Sequence, residues 1–219
     1  MSRIFTPAAD LWMQFALIGT ASFVGVGIML AVAWARSDFE TGADLHPPSQ
    51  PVPFSHKHHV AGLGLDCGYC HTSFAAGPRA GLPATHICMS CHSQIWTNAP
   101  MLAPVRESLA KQRSLVWNRV ARLPDYVYFR HDIHIAKGVG CATCHGRVDE
   151  MALTYKPIAL SMQFCISCHR DPAPRLRPLN EITNPASHPP GDPVSGGIDL
   201  VRQYHIRIGE LTECAVCHR

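Results

Sequence analysis

The sequence predicts a mainly α-helical protein with much irregular structure, in which one membrane-spanning helix precedes a domain rich in cysteine and histidine. Three observations support this prediction. Residues 11–35 contain no charged side chain, and a helix of that length reaches about 37 Å, enough to cross a bilayer core. The pattern Cys-x-x-Cys-His occurs five times after this run. The chain also holds 16 glycines and 18 prolines, with little sustained periodicity between the motifs.

The residues around the apolar run favour an anchor that is retained in the mature protein. Thr6 is a suitable N-cap and Pro7 suits the first position of a helix. A cleaved signal peptide is the alternative, because Ala-Val-Ala at residues 31–33 resembles a cleavage site. The apolar run is longer than a typical signal core, however. We therefore predict that residues 1–37 form a single-pass anchor with its N-terminus in the cytoplasm.

The five Cys-x-x-Cys-His motifs use all ten cysteines of the chain. This motif attaches haem covalently, because its two thiols bond the porphyrin vinyl groups and the histidine becomes an axial ligand of the iron. A structural zinc site does not require the histidine, and a disulfide scaffold would not repeat one spacing five times. The motifs are Cys67-Gly-Tyr-Cys70-His71, Cys88-Met-Ser-Cys91-His92, Cys141-Ala-Thr-Cys144-His145, Cys165-Ile-Ser-Cys168-His169 and Cys214-Ala-Val-Cys217-His218.

Five haem c groups decide the fold class of residues 38–219. They leave about 36 residues for each haem, too few for a conventional apolar core. We therefore predict a multihaem cytochrome c domain whose core is the haems. Because thioethers form outside the bacterial cytoplasmic membrane, we expect this domain on the periplasmic side. The polypeptide has a net charge of +3, but the haem propionates make the loaded protein acidic, which argues against a nucleic-acid partner.

The motifs are spaced as a repeat of haem pairs. Their first cysteines lie at positions 67, 88, 141, 165 and 214, so that gaps of 21, 53, 24 and 49 residues alternate between short and long. The period is about 75 residues. We predict two-haem units over residues 54–128 and 129–202, followed by a one-haem half unit over residues 203–219.

Histidines outside the motifs follow the same period. Phe-x-His-x-x-His begins at Phe54, and the same pattern begins 75 residues later at Phe129. We expect the first histidine of each unit to ligate its first haem and the second histidine to ligate its second haem. The predicted distal ligands are His56, His59, His131, His134 and His205, and the proximal ligands are His71, His92, His145, His169 and His218.

Other side chains are weaker candidates for the distal positions. Methionine is the second common distal ligand in c-type cytochromes. Met101, Met151 and Met162 are therefore alternatives for one haem. Lone histidines are more often surface residues than ligands, and we expect this role for His46, His58, His86 and His188.

The histidine pairs and their motifs resemble cytochrome c7 modules. Together with the anchor, the runs VWNRVARLPDYVYFRHDIH and CATCHGRVDEM resemble the membrane-anchored pentahaem subunit of alternative complex III. This resemblance implies an electron-transfer subunit of a quinol:acceptor oxidoreductase, without a catalytic residue of its own. It also implies three kinds of partner, which are a large iron–sulfur subunit, polytopic membrane subunits, and a monohaem cytochrome or other soluble electron acceptor.

Two other functions are consistent with several haems. An anchored multihaem quinol dehydrogenase could feed a periplasmic reductase, although that class has four haems. A nitrite or hydroxylamine reductase needs a haem with an open axial position, whereas the five histidines outside the motifs complete the ligand count here.

Overall fold

The computed structural model describes residues 6–37 and 42–218, and these residues are mainly helical and irregular. Two isolated antiparallel bridges, Asp44 with Lys156 and Val139 with Leu176, are the only β-type pairings in the described ranges. The chain divides into two compact units, Met1–Glu40 and Thr41–Arg219. The helices are α1 Pro7–Ser37, α2 Cys67–Cys70, α3 Thr85–His92, α4 Ala103–Ala110, α5 His131–Ala136, α6 Cys141–His145, α7 Met162–Arg170, α8 Pro193–Gln203 and α9 Cys214–Cys217.

Helix α1 begins where the sequence predicts. Pro7 is its first residue, and the Ala9 amide donates a hydrogen bond of 3.3 Å to Thr6 Oγ1, so Thr6 caps the helix. Within Pro7–Trp34 an 18-residue window reaches a mean hydropathy of 2.2, so this helix is long and apolar enough for a membrane span. The prediction of an N-terminal apolar helix is confirmed.

Short helices carry all five haem-attachment motifs, as the sequence predicts. Three of these helices, α2, α6 and α9, are little more than the motif itself. Side chains cap two of the five: Asp66 accepts from the Gly68 amide at 2.7 Å before α2, and Ser161 accepts from the Phe164 amide at 3.3 Å before α7. Because each motif is helical, its two cysteines, which are three residues apart, project to the same side of the helix.

Short turns of other helix types also occur between the α-helices. A π-helical turn spans Lys57–Gly62. Short 3₁₀ turns follow at Pro100–Leu102, Val148–Glu150, Ala173–Arg175, Leu179–Glu181 and Ile208–Glu210.

Buried apolar side chains form only small clusters. One contains Val52, Leu102 and Val105. The second contains Leu176, Leu200 and Tyr204, where α8 packs against the Ala173–Arg175 turn. Clusters of three residues supply little apolar burial. Their size agrees with a fold in which side chains alone do not make the core.

The packing of α8 depends on one residue without a side chain. A Cβ at Gly197 would lie 2.1 Å from the carbonyl oxygen of Ala173. This distance is far inside van der Waals contact, so only glycine lets the two backbones approach. The approach places Tyr204, just after α8, where its hydroxyl donates to the carbonyl of Arg177 at 3.1 Å.

Candidate haem sites

Four of the predicted distal histidines face four motif histidines across a gap of nearly constant width. In every case the two partners are the pair that the 75-residue repeat assigns. The distances between ring centres, and the angles between ring planes, are 6.5 Å and 7° for His56 with His71, 6.2 Å and 62° for His59 with His92, 6.4 Å and 5° for His131 with His145, and 6.2 Å and 30° for His134 with His169.

This gap has the width that one iron ion with two trans imidazoles requires. A bond from a metal to an imidazole nitrogen is about 2.0 Å, and the ring centre lies about 1.1 Å further on, which gives about 6.2 Å between ring centres. The four pairs therefore fit the axial positions of a haem. No group of three or more His, Cys, Asp or Glu side chains that could bind a metal directly occurs in residues 6–37 and 42–218.

Hydrogen bonds at Nδ1 select the tautomer that such a site needs. A carbonyl oxygen can only accept, so Nδ1 must carry the proton and Nε2 is left as the metal-binding nitrogen. Seven of the ten histidines predicted as ligands have a carbonyl partner. These are His59 with Ser55 at 2.9 Å, His71 with Gly81 at 2.8 Å, His92 with Ile95 at 3.3 Å, His131 with Pro78 at 3.1 Å, His134 with Arg130 at 2.7 Å, His169 with Leu211 at 2.7 Å and His218 with Tyr126 at 3.1 Å.

His56 has a different Nδ1 partner. Its ring nitrogen lies 2.8 Å from the hydroxyl oxygen of Thr154, a residue 98 positions later in the chain. Sequence reasoning did not single out Thr154, because no local pattern relates it to a histidine so far away.

Burial keeps several of these imidazoles neutral, which is the form that binds a metal. Desolvation, together with a smaller effect of neighbouring histidines, lowers the pKa of His56 and that of His145 to about 4. Desolvation also lowers the pKa of His134, against the opposing effect of the Arg130 carbonyl. Among the thiols, burial raises the pKa of Cys144 to about 11.

The cysteines of different motifs lie side by side in an order that differs from the order in sequence. Cys67 of the first motif is within hydrogen-bonding distance of Cys141 of the third. The other electrostatic neighbours are Cys70 with Cys88, Cys144 with Cys165 and Cys168, and Cys165 with Cys217. These contacts connect the motifs in the order second, first, third, fourth, fifth.

Comparison with known proteins gives this arrangement a family context. Residues 127–219, which include the third, fourth and fifth motifs, match the family described as cytochrome c7 and related cytochrome c. This part of the chain is similar to cytochrome c7 modules. A second match, over 124 residues at 34% identity, is the multihaem cytochrome c subunit of menaquinone reductase from Nitratidesulfovibrio vulgaris. It covers 56% of this chain and 57% of that relative, so the chain spans little more than half of the relative's length.

Each of the two predicted two-haem units has one phenylalanine against two histidines. The ring of Phe129 lies 4.8 Å from that of His131, edge to face, and 4.5 Å from that of His134. Phe54 repeats both contacts, at 4.9 Å from His56 and 4.3 Å from His59. The Phe-x-His-x-x-His pattern thus brings one aromatic ring against histidines that face two different motifs.

The fifth motif lacks the arrangement seen at the other four. His205 is exposed and has a positive φ of 51°. Among the ring contacts of the described residues, His218 pairs with Tyr126 at 5.8 Å and not with His205. The residue two positions before His205 is Gln203, where the other units have phenylalanine. The assignment of His205 rests on the repeat alone and stays a prediction.

Most of the other candidates lie outside the facing pairs. His46 is exposed beside Asp44, and the ring of His188 lies 3.0 Å from the Pro189 carbonyl. His58 packs against His59 and Trp96 without facing a motif histidine. Of the methionines, Met151 is buried, whereas Met101 and Met162 are exposed.

Proposed function

We propose that this protein is an electron-transfer subunit of a membrane-bound quinol:acceptor oxidoreductase of the alternative complex III type, with no catalytic site of its own. The observation that carries the proposal is the unbroken spatial order of the motifs, in which each motif has cysteines beside those of the next. Such an order suits a relay between two partners better than a single reaction centre.

The residue roles follow from the facing histidines. In the proposal the ten motif cysteines hold five haem c groups, the five motif histidines are proximal ligands, and His56, His59, His131, His134 and His205 are distal ligands. Haem bound in this way supplies a one-electron couple. A histidine on each side leaves no iron position for a substrate, so these side chains favour electron transfer over catalysis.

The membrane and partner assignments rest on the anchor and on the relative. Helix α1 is long and apolar enough to cross a membrane, and the relative is by name a subunit of a quinone-linked reductase. We propose that α1 inserts from the cytoplasmic side and that the haem domain faces the periplasm. The proposed partners are a large iron–sulfur subunit, polytopic membrane subunits and a monohaem or other soluble acceptor.

A second candidate differs in the direction of electron flow. The relative is named a menaquinone reductase, so a related complex could pass electrons from a soluble donor to menaquinone. Both candidates use the same ligands and the same anchor. They differ in whether electrons enter at the second motif or at the fifth, which are the first and last in the spatial order.

Purification from the native membrane tests the proposal. We expect the tagged full-length chain, extracted in mild detergent, to bring iron–sulfur and polytopic subunits with it, and added quinol to reduce its haems. As a control, a variant lacking residues 1–37 should be soluble and should leave the membrane subunits behind. A full-length chain that purifies alone and does not respond to quinol would contradict the proposal.

Two further measurements complete the test. Steady-state assays compare quinol-driven reduction of a soluble c-type cytochrome with quinone reduction driven by the reduced cytochrome, and the faster reaction identifies the direction. Intact mass should exceed that of the polypeptide by five haem masses. The double variant Cys214→Ala/Cys217→Ala should lose one of these haem masses. If the wild-type protein exceeds the polypeptide mass by only four haem masses, one motif does not attach haem.

A further inference from the structure

Among the predicted haem ligands whose Nδ1 has a hydrogen-bond partner in the described residues, His56 is the exception, because its partner is the side chain of Thr154. The length of this hydrogen bond is 2.8 Å, similar to that between His71 and the Gly81 carbonyl on the opposite side of the same gap, also 2.8 Å. His56 therefore has a side-chain hydroxyl where the seven other predicted ligands with an Nδ1 partner have a backbone carbonyl. A side chain can be replaced without changing the backbone, so this contact can be tested on its own.

Backbone hydrogen bonds hold the segment around Thr154 against the first two-haem unit. The Lys57 amide donates to the Met151 carbonyl at 3.0 Å. On the other side of Thr154, the amides of Asp44 and Lys156 donate to each other's carbonyls at 2.7 and 2.9 Å. Met151 is also buried. The backbone is thus held in place on both sides of Thr154.

The chemistry of the contact depends on which groups can donate and accept. If Nε2 binds iron, Nδ1 carries the proton and donates to Thr154 Oγ1. A partner that accepts this proton increases electron density on the imidazole and makes it a stronger ligand, which favours oxidised iron. It also limits rotation of the ring, which lies 7° from parallel to that of His71.

We propose that Thr154 is a positioning residue for the haem held by Cys67 and Cys70, and that its hydroxyl lowers the reduction potential of that haem through His56. The proposal rests on the proposed ligand role of His56. Because the first motif lies between the second and the third in space, a change there alters the potential difference to both neighbouring haems.

Three variants of the full-length, haem-loaded protein test this role. Thr154→Val has nearly the same shape without the hydroxyl, and Thr154→Ser keeps the hydroxyl. Thr212→Val is the control, because Thr212 is exposed. The measurements are a redox titration followed by visible absorbance, electron paramagnetic resonance of the oxidised protein, and intact mass to establish that five haems are present.

We expect Thr154→Val to shift one of the five midpoints upward, by up to about tenfold in that reduction equilibrium, which is about 59 mV for one electron. The low-spin signal of the same haem should change. Thr154→Ser and Thr212→Val should keep the wild-type midpoints. The proposal is overturned if Thr154→Val leaves every midpoint and signal unchanged, or if Thr154→Ser shifts the midpoint as much as Thr154→Val does.

A separate variant distinguishes the positioning role of Thr154 from the ligand role of His56, on which it rests. His56→Ala should open one axial position, giving a high-spin haem that binds carbon monoxide when reduced. If it does so while Thr154→Val has no effect, the ligand assignment stands and the role of Thr154 fails. If His56→Ala leaves all haems low-spin, the ligand assignment itself fails.

Discussion

The imidazole rings of His131 and His145 are almost parallel, with planes 5° apart, whereas those of His59 and His92 cross at 62°. The first pair of each two-haem unit is nearly parallel in both units, since His56 and His71 differ by only 7°. The second pair is tilted in both, with 30° between His134 and His169. The repeat therefore keeps the first histidine pair nearly parallel and the second pair tilted, although the tilt differs between the two units.

These angles predict distinct magnetic signals from the oxidised haems. Parallel imidazoles separate the iron d orbitals and give rhombic low-spin spectra, whereas crossed imidazoles leave two orbitals close in energy and give one signal at a large g value. We expect the second motif to give the largest g value by electron paramagnetic resonance. His59→Ala should remove that signal and add a high-spin one, whereas His131→Ala should remove a rhombic signal. A large-g signal that survives His59→Ala would contradict the prediction.

The fifth motif provides a test of the repeat, because no histidine ring faces His218 among the ring contacts of the described residues. By the 75-residue period, His205 is the distal ligand at Cys214 and Cys217. Wild-type protein should then bind no carbon monoxide, and His205→Ala should leave one of five reduced haems able to bind it, because one axial position opens.

The controls for this test are two histidines with no predicted role. Replacing His58 or His188 by alanine should leave all haems low-spin in the same carbon monoxide assay. Carbon monoxide binding by the wild-type protein, unchanged in His205→Ala, would show that the repeat fails at its third unit. Binding that appears only in a Met151 variant would assign that haem a methionine ligand.

Phe129 contacts His131 and His134, the two histidines proposed as distal ligands, so its replacement should disturb two haems at once. We expect Phe129→Leu to shift the midpoints of the haems at the third and fourth motifs, since the aromatic contacts contribute about 0.5–1.5 kcal/mol each. Only the part of this energy that differs between oxidised and reduced haem moves a midpoint, so about tenfold is the upper bound for the change in each reduction equilibrium. Tyr128→Leu is the matched control, because Tyr128 is 54% exposed. A redox titration in which Phe129→Leu moves one midpoint alone would contradict this prediction.

Much of this architecture follows from local sequence patterns. The helix from Pro7, the motif helices and the four facing histidine pairs all come from spacings that can be read along the chain. A repeat is informative here because each unit places the same residue types at the same relative positions. The repeat gives weaker support where a unit is incomplete, as at His205.

The spatial order of the motifs and the Thr154 contact could not be predicted in the same way. Cys67 lies beside Cys141, and Thr154 reaches a histidine 98 residues earlier. Both contacts depend on how one two-haem unit packs against the other, and no periodicity specifies that packing. The order second, first, third, fourth, fifth is therefore a property of the tertiary structure.

The Arg147–Asp149 pair, just after the third motif, predicts a pH-dependent contribution to stability. Arg147 donates two hydrogen bonds to the carboxylate of Asp149, from Nε at 2.9 Å and from Nη2 at 2.7 Å. The Asp149 side chain is only 8% exposed. The guanidinium lowers the pKa of Asp149 below its ordinary value, although desolvation opposes it. Because the folded state binds this proton more weakly than the unfolded state, folding is favoured above the unfolded pKa.

We expect Asp149→Asn to lower the free energy of unfolding by about 1–2 kcal/mol at pH 7, because a hydrogen-bonded charge is lost from a buried position. The contribution is present above about pH 4, the ordinary value for aspartate, and is lost as the pH falls through the lower folded-state pKa. Thermal unfolding of the haem-loaded protein should therefore show a difference between wild type and variant at pH 5–7 that narrows below about pH 4.

Glu150→Gln is the control, because the Glu150 side chain is 62% exposed although it also contacts Arg147. This variant should change the free energy of unfolding by less than about 0.5 kcal/mol. An equal difference at pH 3 and pH 7 would show that Asp149 stabilises the fold through packing and not through its charge.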